Sequence, residues 1–426
     1  MTPSKDLVFL SPTDTLEDAR SLMAISGKRH IPVLSGSTLL GILNPKDIAK
    51  YIHLSTERSA KAEYVTTVMP RKGMPLGTKV KAEGPAAGVP GVHVQLHSAV
   101  CLLPHPRKVE TGGEDAYLLG PHMIGVADGV GSWWEDSIDP SAYSRAFMFA
   151  ARNSCHLMKR EKELEPTSVL LEAWHKMQLS GIVGSSTVCL ASLDPNKAEL
   201  RAANVGDSGF LLLRRQGADE PAALGTLEAR SGKRKMHIAF RSPQQLRAFN
   251  TPFQLGRAPD SGDAPDPRFE TPHDASIVRV PVRPGDMLVL ATDGLFDNMD
   301  EDDLLDVIEE ADIDASPQVL ADRIAARAKE LSLDQSVDSP FALLAKDNDI
   351  MWGGGRPDDI TVLVSFIVDC ADENAPSMDW DARTGPGEPP EAIIEAERIM
   401  REQREADLAA AERAAASGDD HAAFWP

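Results

Sequence analysis

The sequence predicts an α+β fold with antiparallel sheets, preceded by a small α/β unit and followed by an acidic tail. At 426 residues the chain is longer than one hydrophobic core usually serves, so two folded units with tails are expected. Apolar residues make up 42 % of the chain, which suffices for at least one large core. Between residues 90 and 370 the predicted helices lie in blocks between groups of strands, an order that favours antiparallel sheets.

Hydrophobic periodicity gives the elements of this region. Short apolar runs predict strands near 116–127, 186–193, 198–214, 276–292 and 360–368. Helical spacing predicts helices near 140–159, 166–179, 301–310 and 317–331. Asp139 before Pro140 supplies an N-cap and a proline at the first helical position, and Gly181 supplies a helix stop.

The apolar pattern of residues 7–52 predicts the small α/β unit. Strands are predicted at 7–10, 31–34 and 38–43, with helices over 16–23 and from about residue 45. The stretch SPTDTLEDARSLMAISGKRHIPVLSGSTLLGILNPKDIAKYI resembles one CBS (cystathionine-β-synthase) motif, a module that normally pairs with a second copy to hold adenine nucleotides. The resemblance implies that Asp47 lies at the ligand site, but Asn44 stands where the family has a ribose-contacting serine or threonine. A structural or dimerising role is therefore as consistent with these residues as ligand sensing.

Polar segments set the remaining boundaries. Residues 53–90 are rich in Gly and Pro and predict a linker between a CBS-like unit at 1–52 and a main domain at 91–370. Residues 216–235 lack periodicity and predict a surface insertion. Residues 371–426 form an acidic tail, in which EAIIEAERIMREQREADLAAAERAAA predicts an exposed helix of mixed charge.

The chain is strongly acidic, with 44 Lys and Arg against 65 Asp and Glu and a formal net charge of -21. Such a chain repels a phosphate backbone, so nucleic acid is excluded as the expected partner. Divalent cations, basic partners or a well-solvated acidic surface each account for the charge. No apolar stretch approaches the length of a membrane span and no signal peptide is evident, so the chain as it stands is expected to be cytoplasmic.

The cysteines argue for a reducing, intracellular environment. Cys101, Cys155, Cys189 and Cys370 lie far apart without a CxxC pair, which favours neither a zinc site nor a disulfide framework.

Acidic residues flank several predicted apolar strands. An Asp-Gly pair after a strand is usually a turn, but antiparallel neighbours would bring an acid after one strand and an acid before the next to the same sheet edge. The acids are Asp128 after 123–127, Asp293 after 287–291, Asp358 and Asp359 before 360–364, and Glu114 and Asp115 before 116–119.

Carboxylates gathered in this way need protons or cations. Two of them 4 Å apart repel by about 4 kcal/mol at an effective dielectric near 20. Hard oxygen ligands without histidine or cysteine select magnesium or manganese over zinc. The glycines after Asp128 and Asp293 leave room for water, and the carbonyl of Gly129 is a further ligand candidate.

A set of motifs supports this interpretation. GGEDAY, GVADGVGSW, GSSTVCLASLD, AANVGDSGFLLLR, VLATDGLFDNM and PDDITVLV, in this order over about 280 residues, resemble the motifs of the PPM (protein phosphatase 2C) family. The resemblance implies a β-sandwich of two antiparallel sheets flanked by helices, with a binuclear metal site at one end. DPSAYSR and FNTPFQLG resemble the branch that includes mitochondrial and chloroplast members, so those compartments are alternatives to the cytoplasm.

The resemblance also implies roles for individual residues. Asp128 would bridge two Mg²⁺ or Mn²⁺ ions, Gly129 would give its carbonyl to one of them, and Asp293 and Asp358 would complete the other. The further ligands implied are Glu114 and Asp115, partly through water, and Asp207, which with Asp293 would hold a weaker third ion. Asp128, Asp293 and Asp358 are thus the predicted catalytic residues.

The implied activity is hydrolysis of phosphoserine and phosphothreonine in a phosphoprotein, by a water that bridges the two ions and attacks phosphorus in line. No cysteine or serine nucleophile is needed, and Ser185 and Ser186 are interpreted as strand residues. Two positions depart from the family. Val130 replaces the histidine of DGHGG, and Glu110 stands where an arginine usually binds phosphate, so Arg107 or Lys108 are candidate substitutes.

Two rival interpretations come from other classes. A pseudophosphatase would keep the fold as a binding module controlled by the CBS-like segment, although loss of metal ligands is its usual mark and Asp128, Asp293 and Asp358 are present. The second rival is another magnesium-dependent phosphotransfer enzyme, such as a nucleotide hydrolase, but the sequence has no GxxxxGK[ST] string and no kinase-type HRD or DFG motif. A single CBS motif leaves an apolar face uncovered, which predicts a homodimer through this segment.

Overall fold

The computed structural model describes residues 94–158, 164–194, 196–215, 236–262, 265–312, 315–370 and 383–417, with the backbone of a strand pair at 31–35 and 38–43. The side chains of residues 157 and 408–417 are not part of that description. The chain divides into two compact units, Met1–Gly84 and Pro85–Pro426.

In the first unit, the strands β1 (Ile31–Ser35) and β2 (Thr38–Leu43) pair as an antiparallel hairpin, with Ile31 opposite Leu43. They match the strands predicted at 31–34 and 38–43. Several predicted features lie outside the described residues. They are the helices predicted in this unit, Asp47, the linker at 53–90 and the insertion at 216–235.

The second unit contains fourteen strands among its described residues. They are β3 (Val94–Leu103), β4 (Asp115–Leu119), β5 (Met123–Gly129), β6 (Gly184–Asp194), β7 (Glu199–Val205), β8 (Gly209–Arg215), β9 (Met236–Arg241), β10 (Leu246–Ala248), β11 (Thr251–Pro252), β12 (Leu255–Arg257), β13 (Ser276–Pro281), β14 (Met287–Ala291), β15 (Ile360–Asp369) and β16 (Arg383–Gly385).

Helices follow the strands in blocks, as predicted. They are α1 (Pro140–Met158), α2 (Pro166–Ser180), α3 (Asp293–Phe296), α4 (Glu301–Glu309), α5 (Pro317–Leu333), α6 (Pro340–Asp347) and α7 (Glu391–Ser417), with 3₁₀ turns at Gly131–Asp136 and Pro272–Asp274. The N-cap expected before α1 is present, because Asp139 Oδ1 accepts a hydrogen bond of 2.9 Å from the Ser141 N–H. Gly181 ends α2 with a φ of 70°, as expected of a left-handed helix stop.

Two antiparallel sheets form a sandwich. One has the order β13-β7-β6-β5-β4-β16, with β12 also paired to β6, and the other has the order β3-β15-β14-β8-β9. Strand alternation builds three apolar layers from these sheets. Ile124 and Val126 of β5 face Leu288 and Leu290 of β14 in the core between the sheets, and the alternate residues of both strands face outward.

Helices cover the two outer faces of the sandwich. α1 and α2 pack on the sheet that contains β5, through residues such as Phe147 and Met177. α4 and α5 pack on the sheet that contains β14, through residues such as Leu304 and Ile324. The predicted α+β sandwich flanked by helices is therefore confirmed.

The C-terminal segment differs from the expectation of an exposed tail after residue 370. β16 pairs with β4, which places Gly385 opposite Tyr117. The first turns of α7 bury Ile393 and Ala396, and Glu397 accepts a hydrogen bond of 3.0 Å from the buried Lys176 of α2. These few apolar residues suffice because they lie on one helical face, while residues 401–407 are exposed.

No helix in the described part of the chain has the length and apolar character needed to cross a membrane.

Candidate active site

Two acids face each other where the central strands of one sheet end. Asp115 is the first residue of β4, and Asp128 is the penultimate residue of β5. The antiparallel register places Asp115 directly opposite Asp128. Their Cα atoms are therefore about 5 Å apart, the spacing of cross-strand neighbours.

The other sheet brings acids to the same end of the sandwich. Asp293 begins α3, two residues after β14 ends, and Asp358 and Asp359 immediately precede β15. The sheets are joined here by hydroxyl groups. Asp115 Oδ2 accepts hydrogen bonds from Thr292 Oγ1 at 2.8 Å and from Thr361 Oγ1 at 2.7 Å.

Close backbone approaches explain the glycines after two of these aspartates. A Cβ at Gly294 would stand 1.9 Å from the Asp359 carbonyl oxygen, and one at Gly129 would stand 2.6 Å from the Pro140 carbonyl oxygen. Both contacts are shorter than real Cβ atoms show. Glycine at these positions therefore lets the chain segments that carry the acids converge.

A basic side chain enters this group from the loop before β4. Lys108 Nζ donates to Glu114 Oε2 at 2.6 Å and to Asp359 Oδ2 at 3.1 Å. Asp359 also accepts the Glu114 N–H at 2.8 Å, and Trp134 Nε1 donates to Glu114 Oε1 at 2.5 Å. Asp359 thus anchors the loop that positions Glu114.

A second basic side chain enters from the loop before β15. Arg356 Nη1 donates to Asp293 Oδ2 at 2.7 Å and to Asp297 Oδ2, and Arg356 Nη2 lies 3.1 Å from Asp358 Oδ2. We refer to the acids at this end of the sandwich as the acidic cluster: Glu114, Asp115, Asp128, Asp207, Asp293, Asp297, Asp358 and Asp359.

Burial and neighbouring carboxylates raise the pKa values of several acids in the acidic cluster. Burial raises the pKa of Asp128 well above its usual range, and the carboxylates of Asp293 and Asp115 add to the effect. Burial and the Asp359 carboxylate likewise raise the pKa of Asp115, against the two threonine hydrogen bonds. Burial and the Asp293 carboxylate raise the pKa of Asp358 to about 7, although Arg356 and Lys108 oppose the shift.

Asp207 lies in the turn between β7 and β8 and is buried. Burial raises its pKa well above the usual range, with further contributions from the carboxylates of Asp293 and Asp297. Its backbone carbonyl accepts a hydrogen bond of 3.1 Å from Gln244 Nε2, whereas Oδ1 has no hydrogen-bond partner.

The donor set of the acidic cluster fits hard divalent cations. Oδ1 atoms of Asp115, Asp207 and Asp293 are buried without a hydrogen-bond partner, and a buried carboxylate oxygen without a partner is costly unless a cation or proton meets it. Among the described residues, however, no three His, Cys, Asp or Glu side chains meet in a preassembled ligand set. Lys108 and Arg356 instead lie among the acids.

The structure brings together most of the residues predicted from sequence. Glu114, Asp115, Asp128, Gly129, Asp207, Asp293 and Asp358 all lie at one end of the sandwich. Of the two basic candidates, Lys108 contacts the acidic cluster, whereas Arg107 is exposed.

Two residues of the site, Asp297 and Arg356, were not singled out from the sequence. Asp359 was predicted, together with Asp358, as an acid that precedes a strand. Arg356 stands two residues before Asp358 in the sequence, and a basic residue next to an acid pair was the available signal.

Most of the alternative nucleophiles are strand or core residues, as predicted, whereas Cys370 is exposed. Ser185 Oγ donates to Gln254 Oε1 at 2.5 Å and accepts from Trp133 Nε1 at 2.7 Å. Burial raises the pKa of both Cys155 and Cys189 to about 12, so these thiols are not ionised at neutral pH. All four cysteines are free in the described part of the chain.

Comparison with known families gives two matches. Residues 1–54 match the CBS domain model, and residues 264–366 match the model of stage II sporulation protein E (SpoIIE).

Individual relatives match the region that carries the acidic cluster. "Probable protein phosphatase 2C 55" of Arabidopsis thaliana is 36% identical over 285 residues, which are 66% of this chain and 53% of the relative. "Protein phosphatase PTC7 homolog fig" of Drosophila grimshawi is 33% identical over 273 residues, 61% of this chain and 81% of the relative. This chain therefore spans about half the length of the plant relative.

A solved structure supports the same relationship. The X-ray structure of the photosystem II phosphatase PBCP superimposes with a TM-score of 0.51 at 30% identity, covering 64% of this chain and 98% of that one.

Proposed function

Because this chain belongs to the PPM (protein phosphatase 2C) family, we propose that it hydrolyses phosphoserine and phosphothreonine in protein substrates with the help of two Mg²⁺ or Mn²⁺ ions. The observation that carries the proposal is the acidic cluster, in which three buried carboxylate oxygens have no hydrogen-bond partner. Phosphoprotein substrates are in keeping with the family.

The residues that would hold the ions are those whose carboxylates converge. Asp128 would hold both ions, the Gly129 carbonyl would bind one of them, and Asp293 and Asp358 would bind the other. Glu114, Asp115 and Asp207 would contribute further oxygens, Asp207 toward a third, weaker ion. When bound, the ions would acidify a water nucleophile and neutralise the phosphate of the substrate.

The protein's own groups do the positioning. The Thr292 and Thr361 hydroxyls donate to Asp115 Oδ2, whereas Asp115 Oδ1 has no hydrogen-bond partner and would be available to an ion. Lys108, held between Glu114 and Asp359, is the basic group that we assign to attraction of the substrate phosphate. Direct attack by water agrees with the absence of an ionised thiol or activated serine among the described residues near the acidic cluster.

The CBS-like unit is proposed to act in self-association. Dimerisation through a single CBS motif from each of two chains would cover the apolar face that one motif leaves open. Binding of an adenine nucleotide at Asp47 is the less favoured role, because Asn44 departs from the ribose-contacting pattern.

A direct test measures phosphate release from a phosphothreonine peptide by the purified full chain. We expect activity with millimolar Mn²⁺ or Mg²⁺ and loss of activity in EDTA, with recovery when Mn²⁺ is restored. Activity that persists in EDTA would contradict the metal-dependent mechanism, and the absence of hydrolysis with any ion would favour the pseudophosphatase alternative.

A further inference from the structure

Arg356 is shared by three carboxylates of the acidic cluster. One guanidinium donates to Asp293 and Asp297 through Nη1 and approaches Asp358 through Nη2. Two of these acids, Asp293 and Asp358, are residues that the proposed function assigns to a divalent ion. Arg356 therefore holds oxygen atoms that this ion would also require.

The position of Arg356 is fixed by contacts other than its ion pairs. Its N–H donates to Asn298 Oδ1 at 2.8 Å, and its carbonyl accepts from Asn298 Nδ2 at 2.8 Å. Its guanidinium carbon lies 4.8 Å from the centre of the Phe341 ring, within the range of a cation–π contact. Only 19 % of the side chain is exposed. The arginine is thus a built part of the site and not a mobile surface residue.

Basic side chains neutralise some carboxylates of the acidic cluster and leave others without an ion pair. Lys108 and Arg356 pair with Glu114, Asp293, Asp297, Asp358 and Asp359. No ion pair to Asp115 or Asp128 occurs among the described residues, although these two acids face each other across neighbouring strands. A divalent ion held by Asp115 and Asp128 would find no basic side chain paired with either carboxylate, whereas one held by Asp293 and Asp358 would find the Arg356 guanidinium on both.

We propose that Arg356 is a resident counter-cation that competes with one of the two divalent ions for Asp293 and Asp358, so that the two ions bind with unequal affinity. The inference rests on the metal site of the proposed function. Competition for shared oxygens is reciprocal, because each cation weakens the binding of the other by the same factor. Arg356 would stabilise the metal-free chain and weaken one metal site.

The test is calorimetric titration of the metal-free full chain with MnCl₂, together with thermal melting. We expect the wild-type protein to bind one Mn²⁺ tightly and another more weakly. In Arg356→Gln the weaker site should tighten about tenfold, within the usual range of coupling between two sites. The metal-free variant should melt at a lower temperature than the wild type, and saturating Mn²⁺ should close that gap. A purely structural role would lower the melting temperature equally with and without metal.

Arg214 provides a matched control. Its side chain is also 19 % exposed and makes two hydrogen bonds of 2.8 Å to Asp286. Unlike Arg356, it lies near the end of β8 that is far from the turn that carries Asp207. Arg214→Gln should leave both Mn²⁺ affinities unchanged. If Arg356→Gln does not fold, Arg356→Lys, which keeps one charge without the planar fork, should still tighten the weaker site severalfold.

The outcomes separate the two proposals. A wild-type chain that binds no Mn²⁺ would overturn the metal site of the proposed function and this inference with it. If both Arg356 variants bind Mn²⁺ as strongly as the wild type or more weakly, only the proposed competition between Arg356 and the ion would be overturned.

Discussion

Asp115 and Asp128 lie directly opposite each other on β4 and β5, and no ion pair compensates either acid within the described residues. Asp115 receives two threonine hydroxyls, whereas Asp128 is surrounded mainly by other carboxylates. In the metal-free protein, Asp128 is therefore a source of repulsion with few favourable contacts.

The first prediction compares Asp128→Asn with Asp293→Asn. Both variants should lose phosphatase activity. Without metal, Asp128→Asn should raise the free energy of unfolding by roughly 1 kcal/mol, because it removes a like charge. Asp293→Asn should bring no gain, since it also removes the negative charge that pairs with Arg356 Nη1 at 2.7 Å. Denaturant unfolding in EDTA checks the difference, and equal stabilisation of both variants would contradict it.

The second prediction concerns the threonine that bridges the sheets. Thr361→Val should cost about 1–2 kcal/mol of stability and lower activity severalfold, because Asp115 Oδ2 loses a hydrogen bond of 2.7 Å. Thr384→Val is the control, since the buried Thr384 hydroxyl has no hydrogen-bond partner. The control should be neutral or slightly stabilising in thermal melts. A Thr361→Val protein as stable and active as the wild type would show that this bridge does not position Asp115.

The third prediction tests whether α7 belongs to the catalytic unit. Ile393 is fully buried, whereas its neighbour Ile394 is 52% exposed. Ile393→Ala should lower the free energy of unfolding by about 2–4 kcal/mol through the cavity that it leaves. Ile394→Ala should change it by less than about 0.5 kcal/mol. Similar small effects for both variants would mean that α7 does not dock in solution.

The fourth prediction is that residues 1–84 mediate dimerisation. Light scattering should give the mass of a dimer for the full chain and of a monomer for a chain beginning at residue 92. The dimer should persist without nucleotide. A monomeric full chain, or a dimer that survives removal of the N-terminal unit, would contradict the prediction.

Local sequence patterns were sufficient for the elements whose residues alternate or repeat regularly. β5 and β14 were predicted because each has an unbroken apolar run that ends in an Asp-Gly pair. β16 was missed because a strand of three residues that ends at Gly385 carries no periodic signal, and because it pairs with β4, which lies more than 260 residues earlier.

Most acids of the site and Lys108 were predictable from the sequence, whereas Asp297 and Arg356 were not. Asp128, Asp293 and Asp358 each adjoin an apolar strand, so one local rule found all of them. Arg356 acquires its role only through Asp293 and Asp297, about 60 residues earlier in the chain. No single-sequence pattern gives that proximity.

The short strand β16 protects a sheet edge through which two molecules of this protein could otherwise associate. β4 would be the outermost strand of its sheet without β16, and it carries Asp115 at its first position. An outermost strand offers unpaired N–H and C=O groups to any extended segment nearby. By hydrogen-bonding to residues 117–119, β16 occupies that position within the same chain. Proteolytic cleavage between Cys370 and Arg383 that released the C-terminal segment would therefore expose β4 as a template for strand exchange between molecules and for aggregation.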